Sequence, residues 1–302
     1  MRNLTRSALA LSVLLAMSAA GQELEPRRYV NAPVGVNFLA VAYGFSSGNV
    51  LLDPTLPIEG LDARLHVVAL RYVRSVGVFG KNGRVLAVLP ATSGDWQGTL
   101  EGEFRTRQID GFGDLRVGFD VNFLGAPALK ASEFGSYEAR TVAGASLLVK
   151  VPTGQYDRDR LLNLGSNRWT FIPQIGVSHV LGRFTVEAAA RLLLFTANTD
   201  FFGGNRFEQR PLAVIQAHGV YTFRPGLWVA IGVGLANGGR TILNDEPRDT
   251  LQQNARVGAV FAYPLSPRQG LRLSFGASMT TTNGSDFRTF GFAYQHAWGG
   301  QD

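Results

Sequence analysis

The chain reads as an all-β protein: a single antiparallel, up-and-down transmembrane β-barrel of about twelve strands. Three observations lead there. From residue 34 onward, stretches of roughly ten residues alternate apolar and polar side chains, and such alternation points successive side chains to opposite faces of a strand. The connections between these stretches alternate between tight turns and longer polar loops. Charged residues make up 17% of the 302 residues, below the roughly 25% of soluble domains, and no internal apolar run approaches the 18 or more residues of a spanning helix.

The first 20 residues stand apart. Arg2 and Arg6 precede an apolar stretch from Ala8 to Met17, and Ser18, Ala19 and Ala20 follow, the pattern of a secretory signal peptide cleaved after Ala20. The expected organisation is therefore a leader (1–20), a periplasmic N-terminal segment (21–33) and one barrel domain (34–302), with no linker or composition shift to divide it. The sequence leaves open whether residues 21–33 plug the lumen. There is no Cys, which excludes disulfides, zinc-thiolate sites and a lipoprotein anchor. Removing Arg2 and Arg6 takes Lys plus Arg from 29 to 27 against 23 acids, a net charge of +4. The arginines are dispersed along strands, so nucleic acid is not an expected partner. Outer-membrane lipid, lipopolysaccharide and the barrel-insertion machinery are.

Taken in order, the expected strands are 34–46, 62–75, 84–92, 113–124, 138–151, 168–180, 184–197, 210–223, 227–238, 251–264, 270–282 and 287–298, with ten or fourteen strands as alternatives. The first three are the least regular, and 90–113 has the character of an extended hairpin beyond the membrane. The fourth is clear: Leu115, Val117, Phe119, Val121 and Phe123 alternate with Asp114, Arg116, Gly118, Asp120 and Asn122. In a soluble sandwich the apolar row would face a core; in a membrane barrel it faces lipid, and the polar row lines the lumen. From Leu227 to Leu235 the odd positions are Leu, Val and Ile, and the even ones are Trp228, Ala230, Gly232 and Gly234. The links 181–183, 224–226 and 264–270 are short and are assigned to the periplasm. Those at 152–168, 198–210 and 237–250 are longer and are assigned to the outside. Closure follows from the solvent, because an open sheet edge in lipid leaves backbone groups without partners.

The last strand, from Phe290 to Trp298, resembles the C-terminal insertion signal of outer-membrane proteins, apart from its trailing Gly-Gly-Gln-Asp. A wider resemblance lies in the middle of the chain, in Gly113 and Asp114, in Pro152, Thr153 and Gly154, in Asn163 through Asn167, and in Trp169, Pro173 and Trp228. Together these are similar to the meta-pathway phenol-degradation (MetA-type) outer-membrane family over roughly 35–298. The resemblance implies a transporter-like barrel linked to uptake of aromatic or other hydrophobic compounds.

Parity assigns the lumen-facing candidates for solute passage: Asp114, Arg116, Asp120, Glu138, Arg140, Lys150, Glu187, Arg191, Gln216, His218, Arg256 and Arg272. Rings of charge can filter solutes; the same groups could neutralise one another in a filled barrel. Tyr156, Phe201, Phe202 and Phe207 are the loop aromatics expected to capture ligand. Asp157, Asp159 and Asn163 do not have the spacing of a calcium loop, and a self-paired surface loop is expected instead. No metal or cofactor is expected. There is no G-x-S-x-G elbow, and no Ser and acid can be placed beside His218. The reading is a passive channel for small, hydrophobic or aromatic compounds and not an enzyme, with a non-conducting structural or adhesion barrel and a lipid-modifying enzyme as alternatives.

Overall fold

A computed structural model describes residues 24–51, 58–100, 102–138 and 140–300; the leader lies outside the described residues. The wall is built from β1 (Val36–Leu51), β2 (Ile58–Val78), β3 (Lys81–Leu100), β4 (Glu103–Phe112), β5 (Arg116–Leu124), β6 (Thr141–Lys150), β7 (Thr170–Leu181) and β8 (Phe184–Phe195). After β9 (Asn198–Phe201) and β10 (Asn205–Gln209), which leave the wall, come β11 (Leu212–Arg224) and β12 (Leu227–Gly238). Then β13 (Thr241–Leu243) and β14 (Glu246–Pro247) leave it again, and β15 (Gln252–Ser266), β16 (Gln269–Thr280) and β17 (Gly284–Gly299) complete it.

Each wall strand pairs antiparallel with its neighbours, and β1 pairs with β17 from Val36 opposite Gly299 to Leu51 opposite Gly284. That closes a barrel of twelve wall positions, with β4 and β5 sharing one. The twelve correspond one for one to the expected strands. The shared position has a local cause. Strand β3 pairs with β5 along Gly83–Val88 and with β4 along Ala91–Leu100, and Pro90, which has no N–H to donate, sits in the gap. The β3–β4 pair is the extended hairpin anticipated for 90–113.

Burial is inverted relative to a soluble protein. Ile231, Ile175 and Ile215 are 65%, 63% and 61% exposed, while Gln216 and Asn122 are 2% and 1% exposed. Only a lipid solvent makes that arrangement favourable. Aromatic side chains cluster near both edges of the outer face, with Tyr72 and Trp298 at one rim and Trp169 stacked beside Phe171 at the other.

The turn end carries the tight hairpins between β2 and β3, β7 and β8, β11 and β12, and β15 and β16. Phe79 and Gly80 make the first, both with positive φ. One connection at this end is long. Residues 125–138 fold beneath the wall, where Asn82 N donates to Ala126 O and Val34 N to Leu129 O. At the opposite end, β9, β10, β13 and β14 form a separate four-stranded sheet from segments expected to be plain loops. Their hairpin signals were in view: Gly203-Gly204 between β9 and β10, and Asn244-Asp245, both with positive φ, between β13 and β14.

Candidate functional site

Residues 24–33, set apart in sequence from the barrel, are folded into its lumen. Glu25, Arg28, Tyr29, Asn31 and Ala32 are all 8% exposed or less. The segment enters at the turn end, where Ala32 O accepts hydrogen bonds from Asn82 Nδ2 (2.7 Å) and Ser75 Oγ (3.4 Å). Higher up, Tyr29 lies across Gly144 and Gly176, where a Cβ would fall 2.5 and 2.3 Å from its ring. Its hydroxyl accepts from Gln174 Nε2 at 2.9 Å, and its carbonyl accepts from Asn122 Nδ2 at 3.1 Å. Arg28 is the hub. Its guanidinium pairs with Glu25 and with Asp120 (2.9 Å), its carbonyl accepts from Arg84, and Arg84 lies 3.5 Å from the same Asp120. Arg27 N donates to Glu187 Oε2, Arg27 Nη1 donates to Thr222 Oγ1, and Glu25 N donates to Gln216 Oε1.

The expected lumen residues therefore divide. Asp120, Glu187, Arg191, Gln216, His218 and Arg256 are buried inside the wall, and three of them hold the N-terminal segment. Arg116 and Arg272 are half-buried on the lumen face, and Arg272 sits 5.2 Å over the ring of Trp228. Glu138 and Arg140 are a correction. Their parity is right, but β6 begins at Thr141, so both are exposed in the connector below the barrel.

Asp114 is a second correction. It lies in the gap between β4 and β5 at the loop side of the wall and forms a clasp there. Its carboxylate accepts hydrogen bonds from Gly154 N (2.9 Å), Ser166 N (2.9 Å) and Ser166 Oγ (2.6 Å), with Lys150 Nζ at 3.2 Å. Burial would raise this carboxyl; the Lys150 ammonium and the hydrogen bonds outweigh it and hold the group below the ordinary aspartate range. Gly154 and Gly165 meet backbone to backbone beneath it, where a Cβ on Gly165 would fall 2.6 Å from Gly154. The motif at 113–114, 152–154 and 163–167 is thus one clasp that pins the long loop to the rim. Within that loop, Asn163 bonds the backbone of Asp157 and Arg160, the self-paired arrangement expected.

The loop aromatics are knitted together. Tyr156 donates to Asp200 O and accepts from Asn198. Phe201 stacks on Phe207 at 4.8 Å, and Arg168 lies 5.0 Å over Phe207 and 4.4 Å over Phe195. Burial pulls the Arg168 guanidinium down to about 10, opposed by Asp114, so it stays charged at neutral pH. Phe202 is 45% exposed at the tip.

Over residues 43–295 the sequence matches the protein family described as "Putative MetA-pathway of phenol degradation". The chain belongs to that family. Among curated protein sequences none matches it. The structure is similar to the "COG4313 outer membrane channel from Pseudomonas putida F1", with a TM-score of 0.78 and 22% identity over 91% of this chain and 100% of that one. It is also similar to the transport unit of the autotransporter AIDA-I from Escherichia coli, with a TM-score of 0.54 and 8% identity over 97% of each chain. At these identities the likeness is one of fold: a closed outer-membrane barrel.

Sequence reasoning missed the residues of the N-terminal segment, and with them Arg71, Arg84 and Asn82 on β2 and β3. The run Glu25-Pro26-Arg27-Arg28-Tyr29 was visible as charged and aromatic, but nothing local says that it turns inward. The outcome is a lumen with two sides. The arc from β2 to β8, continued by β11, holds the polar seat of the segment. The arc from β12 to β1 presents mainly Gly, Ala and Ser to the interior, with Arg256 and Arg272 among them.

Proposed function

We propose that the protein is an outer-membrane channel that passes small, mostly apolar or aromatic solutes by passive diffusion along the side of the lumen that its N-terminal segment leaves unfilled. One observation carries the reading: a cavity of about 100 Å³ remains between Leu24 and Pro26 of the segment and the wall from β12 to β1. Family membership supports a link to aromatic compounds. On the loop side, the half-exposed Phe202 and the stacked Phe201 and Phe207 offer apolar contact to an arriving solute. The lumen residues Asp120, Glu187 and Gln216 then act mainly by holding the segment and keeping the passage narrow.

The density of plug contacts favours a second reading, a non-conducting barrel. Single-channel recording of the folded full chain in a planar bilayer separates the two. Small, steady steps are expected from the wild type, together with faster entry of toluene or phenol into loaded vesicles. A silent wild type with no accelerated entry of either solute would overturn the channel and leave the structural role.

A further inference from the structure

The same cavity contains a polar group with no partner. His218 is 7% exposed, and its ring lies over Gly232, where a Cβ would fall 2.3 Å from Cδ2 and 2.9 Å from Nε2. Nε2 makes no hydrogen bond among the described residues. A buried nitrogen without a partner is costly, so the site calls for an occupant that satisfies it. The rest of the cavity is lined by Arg256 and Arg272 together with backbone and small side chains. Gly258, against which Leu24 packs, lines one side, and Gly276 and Ser274 line another. A volume of about 100 Å³ holds roughly three waters or the greater part of one six-membered ring; engineered apolar cavities of about 150 Å³ take up benzene.

We infer that this cavity is a binding site within the passage for a single small ring bearing one hydroxyl, with the ring against the open face of Gly276 and the side chain of Leu24 and the hydroxyl hydrogen-bonded to His218 Nε2. The site rests on the reading of the lumen as a solute path. It adds to that reading a station at which a hydroxylated ring is preferred over its hydrocarbon counterpart. The preference follows from pairing a buried polar group that a hydrocarbon leaves unpaired. The movable side is the N-terminal segment through Leu24 and Pro26, because the strands opposite are tied to one another by antiparallel ladders.

Two variants test it. Gly276 has only Val257 O within 4 Å of an added Cβ, at 3.9 Å, and no positive φ, so Gly276→Leu projects into the cavity without striking the wall. His218→Leu keeps an apolar side chain of similar bulk and removes the nitrogen. Phenol and toluene are titrated into the folded full chain in detergent by calorimetry, with empty micelles subtracted and gel mobility confirming the closed barrel. The wild type is expected to bind phenol saturably and toluene more weakly. His218→Leu should weaken phenol about tenfold, the effect of one buried hydrogen bond, and leave toluene unchanged. Gly276→Leu should abolish both. No saturable phenol binding by the wild type, or binding unchanged in both variants, overturns the site. Conductance of the same preparations reads the channel separately: a barrel that conducts without binding phenol loses the site and keeps the channel.

Discussion

Asp120 shows how much one residue can carry in a filled lumen. It is 3% exposed and faces both Arg28 and Arg84. Removing one member of a buried ion cluster leaves charge without compensation, at a cost of about 3–5 kcal/mol. Asp120→Ala is therefore expected to lower the urea midpoint of the gel-mobility transition markedly, whereas exposed Asp159→Ala should leave it within error. Packing is equally local at Tyr29. Gly176→Ala places a methyl 2.3 Å from the ring and should unseat the segment, raising conductance; adding Tyr29→Ala should relieve the clash, so the two changes couple instead of adding. Asp114 makes a pH prediction. Its folded-state pKa is depressed, so its contribution is complete above the unfolded value of about 3.9 and is lost as pH falls through the folded one. Hydrogen exchange in loop 151–169, corrected for intrinsic rates, should be flat from neutral pH to about pH 5 and rise in more acid solution. In Asp114→Asn that acid-induced rise should be absent.

At the scale of elements, the decisive unit is not a strand. Residues 24–32 contribute nothing to the wall ladders, which begin at Val36. Deleting them should leave heat-modifiable mobility intact and give conductance steps several times those of the wild type. Equal steps would mean that the segment does not limit the passage. From the fourth onward the strands were readable because they obey period two over about ten residues; the first three are less regular. Strand β12, with Ile231 and Leu235 outward and Trp228 and Ala230 inward, matches its expected parity throughout. The misses have physical causes. Glu138 and Arg140 had the right parity, but parity cannot say where a ladder stops. The sheet of β9, β10, β13 and β14 is made of strands of 2–5 residues, too short to show a period.

The whole molecule is defined by its solvent. A closed wall with an apolar exterior needs an apolar solvent, bilayer or detergent, to cover it, and the unboiled protein is expected to migrate differently from the boiled one on a denaturing gel. The outer face can be probed directly. Ile231→Lys, near the middle of β12 and 65% exposed, should destabilise the folded barrel in bilayers by about 2–4 kcal/mol. Thr289→Lys, on the lumen side, should cost much less, because its ammonium reaches the interior. Equal losses would argue that the two faces meet similar surroundings.

From residue types and their period alone came the membrane barrel of about twelve strands, the side that the strands from the fourth onward turn to lipid, and the turn and loop ends. Each of these is a repeated local pattern, and repetition averages out local exceptions. Only the tertiary structure decided where the N-terminal segment goes, that Asp114 clasps a loop and does not line the passage, and that His218 is left beside a cavity. These outcomes depend on groups that lie far apart in sequence, 191 residues in the case of Glu25 and Gln216. Period-two alternation says which face a side chain takes, but not which partner awaits it across a closed lumen.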